Sequence, residues 1–251
     1  NFHLAPAWRT LAVQEILATG SEFGSCELGK DKKVLLEFVS ANPTGPMHMG
    51  NARGAALGDS LTSILKAVGC DVAKEFYIND SGNQIENFGL SLEARYLELL
   101  GEKGEIPEGG YHGEDITQHM RDFIELEGDH YLHMDSPGRR AKFVEYALEK
   151  NIRKMKKDLS GFGVHFDHWF SEQSLHNEDK VNKVIAMLTD RGYTYEEDGA
   201  LWFRATLFGV PKDEVLIRKN GLSTYFAADI AYHKDKFDRG FEWLIDIWGA
   251  D

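Results

Sequence analysis

The most informative stretch of this sequence reads Val34-Leu-Leu-Glu-Phe-Val-Ser-Ala-Asn-Pro-Thr-Gly-Pro-Met-His-Met-Gly-Asn-Ala-Arg53. Its first six residues are apolar except Glu37, which is typical of a parallel strand covered on both faces. Two prolines stiffen the turn that follows, and two glycines permit close backbone approaches before a small-residue helix begins. Such a junction directs the first helical N–H groups toward one point, which attracts anions. We therefore predict an anion site beside His48, the alternative being a tight connection with an incidental histidine.

The composition restricts the possible partners. The chain has 251 residues, of which 42% are hydrophobic, and its formal charge is −13. An acidic body repels the backbone of nucleic acids and suits a cationic substrate. Cys26 and Cys70 lack the spacing of a metal site and indicate reduced thiols in the cytoplasm. No apolar run approaches the roughly 20 residues of a membrane helix, so we expect no membrane partner.

The order of the predicted elements indicates an α/β fold. A second apolar run, Val72 to Ile78, follows the helix within about 45 residues, which makes a βαβ unit of a Rossmann-like parallel sheet. Residues 85–191 are mostly helical in pattern, and Tyr193 to Leu207 predicts a hairpin. A strand at 215–218, a helix at 225–237 and a third buried strand at 243–248 complete the prediction. The common phosphate-loop and dinucleotide-loop motifs are absent.

Several side chains carry the candidate chemistry. His48 and Asn51, one helical turn apart, can both donate to a phosphoryl oxygen. Glu37 is costly to bury inside an apolar strand unless a cation meets it. Tyr225 and Asp229 are four residues apart and share a helix face. If that face meets the end of the first strand, Glu37 and Asp229 both face one cation, and a guanidinium matches paired carboxylates best.

Four segments resemble the arginyl-tRNA synthetase family of class I synthetases. They are Glu37 to Arg53, which resembles that family's form of the His-Ile-Gly-His motif, and the runs Tyr77 to Ile85, Thr224 to His233 and Trp248 to Asp251. The resemblance implies ATP-dependent activation of L-arginine to arginyl-adenylate, followed by transfer to tRNA(Arg). It also implies Mg²⁺ accompanying ATP, with no metal site in the protein itself.

The same resemblance implies roles for particular residues. The catalytic pair is His48 and Asn51, although Asn51 stands where the family has a second His, and an amide cannot be cationic. The expected arginine-binding residues are Glu37, Ser40, Asn42, Tyr225 and Asp229. The expected ATP-binding residues are Pro43, Thr44, Gly45, His48, Gly50, Asn51, Gly249 and Asp251.

The resemblance also implies a domain organisation. Residues 1–30 correspond to a remnant of an N-terminal tRNA-contacting domain and linker, and 31–84 to the first half of the Rossmann-like catalytic domain. Residues 85–207 correspond to the helical insertion with its hairpin, and 208–251 to the return to the catalytic domain. The family's second nucleotide motif and its anticodon-binding helices are missing from the sequence. We therefore expect an inactive fragment of a monomeric, cytoplasmic enzyme.

Two other functions remain open from the residues themselves. A small-molecule nucleotidyltransferase of related fold shares a similar turn, and a non-catalytic paralogue could bind arginine without activating it. His112, His119, His130 and His133, which lie in the polar insertion, are predicted to be on the surface. The cluster His165-Phe-Asp167-His168 lacks the partners of a metal site.

Overall fold

The computed structural model describes residue 3 and residues 5–249. In chain order, its helices and strands are α1 (Pro6–Thr19), β1 (Lys33–Phe38), α2 (Met49–Ala67), β2 (Asp71–Ile78), α3 (Asn83–Leu99), α4 (Glu114–Glu127), α5 (Ser136–Gly161), β3 (His168–Ser171), α6 (Glu172–Asn177), α7 (Lys180–Asp190), β4 (Thr194–Glu197), β5 (Ala200–Phe203), β6 (Glu214–Ile217), α8 (Tyr225–Asp238) and β7 (Trp243–Ile247). None of the helices in this described part is long and apolar enough to cross a membrane.

The main sheet is parallel and has the strand order β3-β2-β1-β7. The prediction of an α/β fold with a parallel sheet is confirmed. Strand β1 lies inside, because its apolar residues are covered by α2 on one face and by α8 on the other. Strand β7 pairs with β1 alone among the described strands, and its residues are half-buried or exposed. The prediction of a third buried strand there is wrong in its burial.

Strand β3 was not predicted, although it belongs to the main sheet. It pairs with β2 over four residues within the stretch 85–207, which the sequence assigned to an insertion. The helices α3, α4 and α5 before it enclose a separate apolar core, which includes Phe88, Tyr96 and Phe143. The predicted insertion therefore contains both a helical unit and a strand of the main sheet.

A second sheet has the antiparallel order β4-β5-β6. The predicted hairpin is present, and Asp198 (φ 53°) and Gly199 (φ 76°) form its two-residue turn in the left-handed region. Strand β6 pairs with β5, so the predicted boundary between residues 207 and 208 falls within this sheet. The sheet packs with α7 and α8, which places α8 between the two sheets.

Candidate active site

A strained turn ends β1 and fixes the first predicted site residues. Val39 and Ser40 have φ values of 68° and 39°, and the Ser40 N–H donates to the Phe38 carbonyl at 2.9 Å. A β-branched residue rarely adopts this conformation, which costs of order 1–3 kcal/mol. The turn directs the Ser40 hydroxyl so that it donates to Glu37 Oε1 at 2.8 Å and accepts from the Tyr77 N–H at 3.1 Å. Ser40 thus joins the ends of β1 and β2 and orients the Glu37 carboxylate.

Three carboxylates lie side by side across the main sheet. Glu37 on β1 is in register with Glu75 on β2 and with Asp246 on β7. Residues in register point to the same face, and here that face is covered by α8. Its Lys236, only 1% exposed, donates to Glu37 Oε2 and to Asp246 Oδ1, both at 2.7 Å. The sequence argument required a cation near Glu37. In the structure, the ammonium group of Lys236 is such a cation.

The third carboxylate of this row has its own cation. The Arg239 guanidinium contacts both oxygens of Glu75, at 2.6 and 2.9 Å, in the bidentate geometry that gives strong ion pairs. The Tyr232 hydroxyl donates to the same carboxylate at 2.7 Å. This arrangement seats α8 on the sheet. Sequence reasoning missed Lys236 and Arg239, because nothing local in α8 indicates which side chains reach β1 and β2.

A cavity of about 390 Å³ opens where β1 and β7 end. This is the point at which the strand order reverses, and ligands of open parallel sheets bind at such points. Its lining includes the predicted residues Glu37, Ser40, Asp229 and Gly249, together with Tyr77, Tyr232, His233, Ile247 and Trp248. The structure therefore brings Glu37 and Asp229 to one cavity.

The electrostatics of this cavity favour a cation. Burial raises the pKa of Asp229 above its ordinary value; the charges of Glu172 and Glu37 act in the same direction, and His233 acts against them. Asp229 forms no ion pair with any of the described residues, whereas Glu37 shares Lys236 with Asp246. The two acids that line the cavity thus carry more negative charge than their partners neutralise.

His233, which lines this cavity, contacts Asp246 of β7. Their side chains approach to 3.4 Å, and the hydrogen bond to Asp246 raises the pKa of His233. Burial alone would raise the pKa of Asp246, but the hydrogen bonds from His233 and Lys236 lower it to about 2. Asp246 therefore stays ionised and keeps both cations in place.

Tyr225 lies apart from Asp229, although both are on α8. It lines a second cavity of about 340 Å³, together with Ser81, Gly82 and Glu172. A Cβ on Gly82, whose φ is 77°, would lie 2.9 Å from the Tyr225 hydroxyl, so glycine permits this close approach. Glu172 is buried and accepts from the Ser81 hydroxyl at 2.6 Å. The sequence gave no signal for Glu172, since it follows the unpredicted strand β3.

His48 and Asn51 cap the start of α2 reciprocally. His48 Nδ1 accepts from the Gly50 N–H at 3.1 Å, and Asn51 Oδ1 accepts from the His48 N–H at 2.9 Å. A Cβ on Gly50 would lie 2.9 Å from His48 Cε1, so this cap needs glycine at position 50. Because Nδ1 accepts, the neutral imidazole carries its hydrogen on Nε2. The His48 Nε2–H and the Asn51 amide are the donors that remain for a ligand.

The remaining predicted residues lie in several places. Pro43 and Thr44 are buried, and the Pro43 carbonyl accepts from the Asn151 amide of α5 at 2.7 Å. Gly45 borders a small cavity of about 160 Å³ between this loop and the helices α4 and α5. Asn42 is exposed, and Asp251 lies outside the described residues.

Two sequence expectations concern histidines. His119 is buried, so its predicted surface position is wrong. His165 and His168 are exposed, and between them the Asp167 carboxylate accepts from the Lys74 N–H at 2.7 Å. Within residue 3 and residues 5–249, no group of three or more His, Cys, Asp or Glu side chains is arranged to hold a metal ion.

Comparisons with known proteins all indicate the same family. A family model described as tRNA synthetases class I (R), catalytic domain, matches residues 12–244. An arginine–tRNA ligase of Caldanaerobacter subterraneus subsp. tengcongensis is 59% identical over the whole chain, and one of Moorella thermoacetica is 58% identical. The chain spans 45% of the length of each of these relatives. A crystal structure from Campylobacter jejuni, assigned as an arginyl-tRNA synthetase, is 36% identical with a TM-score of 0.89, covering 99% of this chain and 54% of that one.

Proposed function

The chain belongs to the catalytic-domain family of class I tRNA synthetases for arginine, and we propose that the protein containing it is an arginine–tRNA ligase. Such an enzyme activates L-arginine with ATP and transfers it to tRNA(Arg). The single observation that carries the proposal is the cavity shared by Glu37 and Asp229 at the ends of β1 and β7. Its unbalanced negative charge suits the guanidinium of arginine.

We assign the arginine side chain to this cavity. Glu37 accepts the guanidinium with an orientation that Ser40 and Lys236 maintain. Asp229, which forms no ion pair with the described residues, supplies the second carboxylate. Asn42 and Tyr225 contribute from the cavity's surroundings, and Tyr225 reaches the substrate from the neighbouring cavity that it lines.

We assign the phosphates of ATP to the start of α2. The arginine carboxylate is the nucleophile: one of its oxygens bonds to the α-phosphorus while the bond to pyrophosphate breaks, so no protein base is needed. His48 and Asn51 donate to the α-phosphate oxygen as its charge develops. The loop residues Pro43, Thr44, Gly45 and Gly50 hold the nucleotide, and the resemblance assigns Gly249 and Asp251 to the binding of its ribose.

The phosphate oxygens are also the natural ligands for Mg²⁺, which prefers a few carboxylates and substrate phosphates to an all-protein cage. We propose that the ion is bound mainly by ATP, since the described residues offer no cluster of protein ligands. The monomeric state and the cytoplasmic location of the intact protein are proposed on the resemblance and on the two free cysteines.

The test is pyrophosphate exchange into ATP by the intact protein in the presence of tRNA(Arg). We expect exchange with arginine but not with citrulline, which has the same shape without the charge. Asp229→Ala should raise the KM for arginine at least tenfold, equivalent to about 1.4 kcal/mol. Exchange with a different amino acid alone would refute the assignment, and arginine binding without exchange would indicate a non-catalytic paralogue.

A further inference from the structure

Two buried polar side chains connect the helical unit to the loop before α2. The Asn151 Nδ2 group on α5 donates to the Pro43 carbonyl at 2.7 Å, across 108 residues of sequence. On its other side, Asn151 Oδ1 lies 2.9 Å from His119 Nε2 on α4. Both side chains are only 8% exposed. Neither lines the cavity that contains Glu37 and Asp229.

The direction of these hydrogen bonds follows from their chemistry. A carbonyl only accepts, so the amide nitrogen of Asn151 faces Pro43 and the amide oxygen faces His119. His119 must then donate through Nε2–H. Burial lowers the pKa of His119, against the hydrogen bond to Asn151, so the ring is neutral at pH 7 and can hold that single hydrogen on Nε2.

The loop before α2 borders a small cavity on the side that faces α4 and α5. Gly45, Pro46 and Met47 border the cavity of about 160 Å³ whose opposite wall includes His119 and Asn151. The hydrogen bond from Asn151 to the Pro43 carbonyl is therefore a directed link between α5 and the loop beside this cavity. It adds to the packing of the partly buried Met47 against the core that includes Met155. The same loop leads directly into His48, the N-terminal cap of α2.

We propose that Asn151, itself oriented by His119, is a positioning residue for adenylate formation. It fixes the loop at Pro43 and thereby the placement of His48 and Asn51 against the α-phosphate. The inference rests on the proposed function and adds to it a role for the helical unit. It assigns Asn151 an effect on turnover that is separate from arginine binding.

The test compares nearly isosteric variants of the intact protein in arginine-dependent pyrophosphate exchange. Asn151→Asp keeps the volume and the acceptor for His119 but turns the donor toward Pro43 into an oxygen. We expect kcat to fall at least tenfold, while the KM for arginine changes less than twofold. Hydrogen exchange of the backbone amides in residues 44–51 should become faster.

A second pair of variants separates positioning from folding. His119→Gln retains an amide donor near the Nε2 position and should keep kcat within threefold of wild type, whereas His119→Leu should lower it as Asn151→Asp does. Gln118→Ala, on the same helix and beside the same cavity, and Asn220→Asp, at an exposed turn, are the matched controls and should leave kcat unchanged.

The outcomes are distinguishable. Wild-type kcat and wild-type hydrogen exchange in both Asn151→Asp and His119→Leu would overturn this inference and leave the proposed function standing. An equal loss in His119→Gln and His119→Leu, accompanied by an equal fall in Tm, would also overturn it, because a structural role alone explains that result. A wild-type protein that does not exchange pyrophosphate with arginine would overturn both.

Discussion

Glu37 and Asp229 share a cavity but differ in how their charges are balanced. Both oxygens of Glu37 accept hydrogen bonds within the protein, from Ser40 and from Lys236. Asp229 opens onto the cavity, and its burial among other acids raises its pKa. A guanidinium entering the cavity would therefore stabilise the ionised carboxylate of Asp229 more than that of Glu37. In the proposed binding of arginine, we therefore expect Glu37 to orient the guanidinium and Asp229 to supply most of the added attraction.

This difference predicts that arginine binding is linked to the ionisation of Asp229. A cation binds the ionised carboxylate, so binding should strengthen as pH rises through the raised pKa of the free protein and then level off. Asp229→Asn should weaken binding at pH 7 by about tenfold, roughly 1.4 kcal/mol, and should flatten the rise of affinity with pH. Calorimetric titration of the intact protein with arginine at three pH values measures both effects.

The control for that experiment is Asp238→Asn. Asp238 ends the same helix, but its carboxylate pairs with Lys234 outside the arginine cavity. It should retain the wild-type affinity and pH dependence. If Asp229→Asn kept the full pH dependence, another group that lines the cavity, His233, would be the one that titrates on binding.

At the scale of elements, the succession of β1 and α2 could be predicted from the sequence. The apolar run 34–38 and the small residues after His48 indicated both elements and their order, and the structure confirms them. Contacts between residues that are far apart in the sequence could not be predicted from it. Lys236 meets Glu37 across 199 residues, and β3 has only four residues without a buried pattern. His119 sits in a polar segment, and only the packing of α4 on α5 buries it.

One glycine of α2 controls how closely this helix approaches β1. A Cβ on Gly58 would lie 2.2 Å from Cγ of Phe38, so Gly58→Ala requires α2 or the Phe38 ring to move. Overpacking of this kind costs about 1–3 kcal/mol of unfolding free energy. Because His48 and Asn51 begin the same helix, the shift should also lower kcat for pyrophosphate exchange. Urea unfolding and exchange assays of the variant measure the two effects.

Gly54→Ala is the matched control on the same helix. The atom nearest to a Cβ at position 54 is the Val39 nitrogen at 4.0 Å, an ordinary contact. Alanine is favoured over glycine inside a helix by up to about 1 kcal/mol, so this variant should be as stable as wild type or more stable. Equal stability losses in both variants would contradict this prediction, because they would show that the contact with Phe38 is not what sets the cost at position 58.

At the scale of the whole molecule, a buried ion triad joins three segments that are far apart in sequence. Glu37 on β1, Lys236 on α8 and Asp246 on β7 meet beside the cavity that contains Glu37 and Asp229. The chain as a whole has a formal charge of −13, yet these two buried acids have an internal cation. Removing either partner of a buried ion pair leaves an unpaired charge, which costs more than a surface pair contributes. The same triad that stabilises the fold also holds Glu37 in position.

The triad makes the stability of this chain sensitive to acid in a defined range. The pKa of Asp246 is lowered from 3.8 to about 2, because the hydrogen bonds from His233 and Lys236 outweigh its burial. As pH falls, Asp246 therefore takes up a proton at a higher pH in the unfolded chain than in the folded chain. The stabilisation is fully present above the unfolded value near pH 4, and it is lost as pH falls through about 2. A shift of this size corresponds to about 2 kcal/mol.

We therefore expect Asp246→Asn to lower the free energy of unfolding at pH 7 by about 2 kcal/mol or more, since it also leaves Lys236 with a single carboxylate. The difference from wild type should shrink on acidification, because the wild-type chain alone loses the contribution of the ionised Asp246. Urea unfolding between pH 7 and pH 2.5 measures the free energy of unfolding of both proteins as a function of pH. The control is Asp190→Asn, at the exposed end of α7, whose free energy of unfolding should change with pH as that of wild type does. A constant difference between Asp246→Asn and wild type over this whole range would mean that Asp246 acts through packing and not through its charge.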